Sequence, residues 1–401
     1  MKAMSYQKFL FFLIFLLFLL SMNIWIGWDG RSSYLLLGLS ALIVLTLFID
    51  DTRHLKLSWG HFIPLFFLLL AYTYVNTITF LTIFCYFIPY TIIILLREHE
   101  QVMCIRYISK WFAILMLPCI FTYFLVQFEY VPSLGHLWVN HDPSYPVSYI
   151  YRTNYIFYVY SDYYNLRFNG PFIEAGHLGM MSAFLLMANG YDLKKKENII
   201  LLVTLLLTLS LAGYTLACIG YLFVCYIHGR VRLRWVLMLV AFISLIYFGG
   251  YYYNGGDNIL NNMILSRLES DEEKGFSGNN RVGNEVMLYF YYMFSNQKLL
   301  LFGYGKEMYD WLLSQGHGGT GVYMWTVQYG VVGTIAAMMF YLSYVLANKQ
   351  KTISVLFFFF VLMLFWQRCY PFWYSWVICF VYGITNNKYI LLYENRNINI
   401  S

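Results

Sequence analysis

Charge is what this sequence has least of. Asp, Glu, Lys and Arg together make up 11% of its 401 residues, against 60% hydrophobic residues, and the mean hydropathy is +0.58. So little polarity excludes an ordinary water-solvated globular domain. Sustained alternation of apolar and polar residues is also missing, which excludes the strands of a lipid-facing barrel. No internal repeat of the kind secondary transporters carry is present. Metal-ligand spacing is absent too, because the candidate outer histidines His136, His141, His177 and His317 are scattered. Of the seven cysteines, Cys85, Cys119, Cys218, Cys225 and Cys379 fall in apolar runs. Cys369 is then the one expected on an oxidising side, and a single cysteine there cannot build a disulfide framework.

What the chain does have is length of apolar run. Phe9 to Ile26, Tyr34 to Ile49 and Trp235 to Phe248 approach or reach bilayer thickness, and in lipid such runs must be helices. The expectation is an all-α, polytopic transmembrane helical bundle of about 12 spans, residues 1–401 forming a single integral membrane domain. Lys2 and Lys8 precede an apolar run longer than a cleaved signal usually has, which reads as an uncleaved first span. With the N-terminus in the cytoplasm, the inner segments are 1–8, 50–60, 97–110, 191–198, 228–235, 347–352 and 385–401. Most of the 26 Lys and Arg fall in them, as the positive-inside rule requires. The formal charge of +6 is thereby explained by topology, without nucleic acid as a partner.

Two connections on the outer face are long, 129–171 and 249–319, and short helices are expected in them. The stretch from Asn198 to Tyr226 is too short for two full crossings. It reads as half-spans, or as a bent re-entrant pair turning near Ser210 to Gly213, tolerated where the turn is buried in protein or wetted.

Three stations could carry chemistry. The first is Arg167-Phe168-Asn169-Gly170-Pro171-Phe172-Ile173-Glu174-Ala175-Gly176-His177, leading into a span. Arg167 could grip a phosphate oxygen with its planar fork of donors. Equally it could snorkel to headgroups, or staple the loop through Glu174. In the second loop Asn279-Asn280-Arg281 opens an amphipathic stretch, and Phe302-Gly303-Tyr304-Gly305 follows. Arg281 is a second phosphate anchor or a plain solvated arginine, and the glycines permit a tight turn or close backbone approach. The third station is Gly316-His317-Gly318-Gly319-Thr320-Gly321, where the near-neutral pKa of histidine suits proton transfer from a sugar hydroxyl; a polar turn is the bland alternative. The acidic run Glu269 to Glu273 is a solvated face before it is a cation site.

In order, these stations resemble the O-antigen ligase and O-antigen polymerase superfamily of bacterial envelope glycosyltransferases. The resemblance runs over about residues 160–345. It comprises Arg167 with Gly170 and Glu174, then Asn280-Arg281, Leu300 to Gly305, His317, and Gln328-Tyr329-Gly330-Val331-Val332-Gly333. Gly318 stands where that family usually has Asn, Gln328 where Glu is common, and no Trp follows Arg281 at the family's position.

The resemblance implies a metal-independent, cofactor-free glycosyltransferase of the C-like class in the bacterial inner membrane, with cytoplasmic termini and a periplasmic active site. Its donor and acceptor would be polyprenyl-diphosphate-linked glycans, and a chain-length regulator and a flippase would be partners. His317, Arg281 and Arg167 would be catalytic, with Glu174, His177, Gly303, Tyr304 and Gly305 binding substrate. The Glu-Ala-Gly-His lead-in to the span is more like polysaccharide polymerases than ligases, which transfer glycan to lipid A core. A lipid-linked sugar flippase would share the span number and aromatic content, but not the gathering of charge at one face.

Overall fold

A computed structural model describes the chain apart from residues 1, 23, 28–30, 49–58, 77–79, 129–134, 139–149, 155–157, 162–165, 230–240, 242–243, 245–246, 259–260, 263, 268–269, 272–274, 277–283, 316–320, 369–372 and 399–401. The helices are α1 (Lys2–Ser21), α2 (Arg31–Phe48), α3 (Trp59–Asn76), α4 (Phe80–Leu95), α5 (Glu98–Gln127), α6 (Ala175–Ala188), α7 (Lys196–Leu207) and α8 (Leu211–Ile227). Within the second long connection lie α9 (Asn284–Met293), α10 (Gln297–Phe302) and α11 (Gly305–Ser314), and after it come α12 (Val322–Ala347), α13 (Lys351–Gln367) and α14 (Tyr374–Ile398). The molecule is an all-α bundle, as expected. Among the described residues two helices, α5 and α12, are long and apolar enough to cross a membrane, and several shorter apolar helices accompany them.

α6 is the axis. Every one of its residues is buried, and it packs on α7, α8 and α14. Its apolar residues run all round, so no polar stripe is left to face water. Contact with α8 is close because glycine meets glycine: a Cβ added at Gly213 would lie 3.0 Å from the Gly179 backbone, the small-residue packing that lipid-embedded helices favour. α3 lies along α12, and α5 packs on α14 and α7.

The first long connection departs from expectation. Among its described residues it holds not short helices but a three-stranded antiparallel sheet, β1 (Gly135–Trp138), β2 (Ile150–Asn154) and β3 (Tyr158–Ser161), in the order β1-β2-β3. Tyr, Val, Thr and Trp in these segments suit strands. The sheet is tied down where Val159 N donates to Gly170 O at 2.9 Å and Tyr158 stacks on Phe168 with ring centroids 5.8 Å apart. The second connection does carry short helices, α9 to α11, which with the first turns of α12 enclose a small core of Val286, Met293, Leu312, Met324 and Val327.

α7 and α8 are the short pair anticipated between Asn198 and Tyr226, with 12 and 17 residues. They turn through Thr208, Leu209 and Ser210, with Leu209 in the left-handed region at φ 46°. Thr208 and Ser210 are buried, so this turn is wrapped in protein, the condition under which irregular backbone is tolerated at depth.

At the far end of α6 its last carbonyls are taken up by side chains of α14. Asn387 Nδ2 donates to Met187 O at 3.1 Å and Ala188 O at 3.2 Å, and Asn386 Nδ2 to Ala188 O at 2.9 Å. His228 joins the same knot, with Nε2 3.2 Å from Asn387 Oδ1 and Nδ1 3.0 Å from Glu394 Oε2. Orphan carbonyls at a helix C-terminus need such donors.

Candidate functional site

The opposite end of α6 carries a second charged group. Glu174 is its N-cap residue, with extended backbone at φ −138°, ψ 126°, and its side chain makes no capping bond. The carboxylate instead joins the Arg368 guanidinium through Oε1. Its other oxygen, Oε2, lies 3.3 Å from His177 Nε2, one helical turn on. A carboxylate also suits the positive end of the helix dipole. Arg368 follows α13, and Trp373 precedes α14 and meets the His177 ring edge-on at 4.6 Å. Arg368 is 7% exposed and His177 8%, while the Glu174 side chain keeps 32%. Gly176 makes room for this arrangement: a Cβ there would stand 3.0 Å from Arg368 Nη2 and 3.1 Å from Glu174 Oε1. The guanidinium therefore lies over the first turn of α6.

Arg167 sits seven residues earlier, at the other end of a compact turn. That turn is closed by Phe172 N to Asn169 O at 3.1 Å and Asn169 Nδ2 to Phe172 O at 2.7 Å, with Gly170 at φ 56°. Arg167 Nε donates to Thr208 O at 3.1 Å, and the neighbouring Phe168 N donates to Leu207 O at 3.1 Å. Arg167 thus staples the segment to the α7–α8 turn, while Glu174 carries its tie to Arg368. The two ends of the motif fasten it to different neighbours.

Gly303, Tyr304 and Gly305 belong to another contact. α12 breaks at Gly330, whose φ of 68° and ψ of −173° are non-helical. Into the break fits the turn after α10: a Cβ at Gly303 would lie 2.3 Å from Gln328 O, and one at Gly330 2.3 Å from Leu301 O. Tyr304 N donates to Val327 O at 2.8 Å, filling an acceptor that the interrupted helix leaves open. The Gly-Tyr-Gly sequence and the Gln-Tyr-Gly sequence, read as separate motifs, are two halves of one backbone joint. The Tyr304 ring meets Tyr289 edge-on at 5.6 Å. Burial, and then Tyr289 and Tyr292, raise its phenol above the usual value, so it stays a proton donor.

Of the residues singled out from sequence, the structure brings Glu174 and His177 into direct contact, holds Arg167 at the same end, assigns Gly303 and Tyr304 to the joint, and makes Gly305 the first residue of α11. Arg281 and His317 lie outside the described residues. Arg368 and Trp373 were missed by sequence reasoning. A signal existed for Arg368: on the expected topology it is, with Arg31, one of the cations in the short outer connections, where the positive-inside rule disfavours them.

No family model, no curated protein and no solved structure matches the chain.

Proposed function

We propose that this chain is a bacterial inner-membrane glycosyltransferase of about 12 spans. It would polymerise polyprenyl-diphosphate-linked oligosaccharide repeats at the periplasmic face into O-antigen, capsule or exopolysaccharide. One observation carries the reading: Glu174, His177 and Arg368 form a carboxylate–imidazole–guanidinium group, its imidazole and guanidinium buried, that sits with Arg167 at the N-terminal end of a wholly buried, mostly apolar helix. Charge so placed is costly near a bilayer and is kept for function. The motif order resembling O-antigen polymerases supplies the reaction class.

In that reaction an acceptor sugar hydroxyl attacks the anomeric carbon of the donor, the bond from that carbon to the diphosphate oxygen breaks, and the hydroxyl proton leaves. His317 takes the proton and Arg281 and Arg167 meet the charge growing on the diphosphate, an electrostatic role that such transfers favour. Glu174 holds His177 and Arg368 in register at the start of α6.

Purified protein incubated with lipid-linked repeats tests this directly. Longer lipid-linked chains are expected. Unchanged chain length sinks the reading in favour of a transporter. In cells lacking the gene, accumulation of full-length lipid-linked polymer sinks it in favour of a ligase, and a single capped repeat on the acceptor supports it.

A further inference from the structure

Lys388, Lys195 and Arg368 each meet a carboxylate, at Glu98, Asp192 and Glu174. Arg106 and Lys110, both exposed on the first half of α5, meet none among the described residues. The carboxylates of α5 itself are committed elsewhere: Glu98 to Lys388, and Glu100, through Oε2, to Arg97 N at 2.9 Å. What Arg106 does have is an orienting contact. Its Nε donates to Asn386 Oδ1 at 3.1 Å, and Asn386 in turn donates from Nδ2 to Ala188 O at 2.9 Å. The amide is thus turned one way round. It holds the guanidinium by Nε and leaves both terminal amino groups for an anion.

These two cations stand at one end of an exposed face of α5. Met103, Arg106, Lys110, Ile114, Leu117 and Phe121 recur at intervals of three and four, and all are exposed, so they form one stripe along the helix. Lys110 is the last charged residue of α5, and the helix holds none from Trp111 to Gln127. At this boundary the Tyr107 and Trp111 rings meet at 5.8 Å, the pairing of aromatics with lysine that marks a membrane–water interface. α1 runs alongside, with Phe11 on Tyr107 at 6.1 Å and Phe18 on Phe112 at 5.8 Å. Lys8, the last charge of α1, is exposed about one turn before Phe11 and brings a third cation to the seam.

We infer that this end of the α1–α5 seam is a binding site for an anionic phospholipid, its phosphodiester on Arg106, Lys110 and Lys8 and an acyl chain along the stripe from Ile114 to Phe121. On the topology expected from the basic residues it lies in the cytoplasmic leaflet, where basic pockets between helices take such headgroups. Charge complementarity selects an anionic lipid over a zwitterionic one, and the stripe selects a lipid over free phosphate. The held Arg106 guanidinium sets the place apart from a lysine that merely reaches up to headgroups. The site needs only that α5 crosses a bilayer, for which it is long and apolar enough, and it does not depend on the glycosyltransfer reading.

Full-length protein in detergent, titrated with dioleoyl phosphatidylglycerol, dioleoyl phosphatidylcholine or inorganic phosphate and read by native mass spectrometry, tests it. Phosphatidylglycerol should bind about fivefold or more tighter than phosphatidylcholine, and inorganic phosphate at the same concentration should not displace it. Lys110→Gln should lose about fivefold in phosphatidylglycerol affinity, the effect of one basic residue at a membrane surface, and leave phosphatidylcholine binding unchanged. Arg106→Gln/Lys110→Gln should erase the preference. Lys349→Gln, at an exposed cation on the same expected side of the membrane, should change nothing. Lys110 is exposed and its variant should melt with the parent protein, so the single variant decides the matter even where the double one fails to fold. Equal affinity for the two lipids overturns the site. An equal loss in Lys349→Gln and Lys110→Gln also overturns it, in favour of general positive charge. Displacement by inorganic phosphate overturns the lipid as occupant.

Discussion

Glu174 supplies one negative charge to two neighbours, His177 and Arg368. Removing it leaves a nine-tenths buried guanidinium without its carboxylate, and breaking a buried pair is strongly destabilising where neither partner can reach water. Glu174 keeps about a third of its exposure, so Glu174→Ala should lower the apparent melting temperature without abolishing folding. A melting temperature unchanged within error would show that the pair is not structural. Arg167 poses a different question, because its Nε is engaged by Thr208 O. A charge-assisted bond of this kind contributes about 1.5–3 kcal/mol. Arg167→Ala should therefore speed hydrogen exchange at residues 207–211, and Arg167→Gln should restore protection in part. If Arg167→Gln also restores polymer, the arginine is a staple and not an anion contact. The sequence alone left both roles open, since arginine type and position are compatible with either. The Thr208 carbonyl that separates them comes from a turn 41 residues away.

Among the elements, α12 and α10 show what pattern reading reaches and what it does not. The glycines at 303 and 330 are visible as motif positions, and close backbone approach is one meaning of the Gly-Tyr-Gly pair. That they approach each other was not visible, because nothing local pairs two turns across the intervening α11. Gly330→Ala and Gly303→Ala should each destabilise the protein by more than about 1 kcal/mol, because both positions need positive φ and a Cβ would strike backbone. Gly60→Ala, with open space around it, should be tolerated. Thermal unfolding in detergent distinguishes the two classes. Equal melting temperatures would deny the joint any structural weight. The short α7–α8 pair was legible from length alone, since 29 residues cannot make two crossings at 1.5 Å per residue. The three-stranded sheet was not, because its strands are only four or five residues long and are set in a Tyr- and Pro-rich stretch whose composition signals loop.

At the scale of the whole molecule, α6 has one end given to ion pairing and the other to carbonyl capping by α14. Asn387→Leu removes a donor from the Met187 and Ala188 carbonyls and should cost roughly 1–3 kcal/mol. A melting temperature matching the parent protein would count against that role. The orientation of these ends relative to a membrane that the basic residues lead one to expect can be checked in cells. In a background with the native cysteines replaced, Tyr252→Cys should react with a membrane-impermeant maleimide on intact spheroplasts. Leu193→Cys should react only after permeabilisation, and the reverse pattern would invert the topology. Both positions are exposed, so access is set by the side of the membrane. The joint between Gly303 and Gly330 also has a consequence for synthesis. Its first half leaves the ribosome before its second, so the loop helices have nothing to dock on until α12 has been made and inserted. During that interval the aromatic face of α9, including Phe290 and Phe294, stands uncovered, and the time taken to insert α12 sets how long it waits.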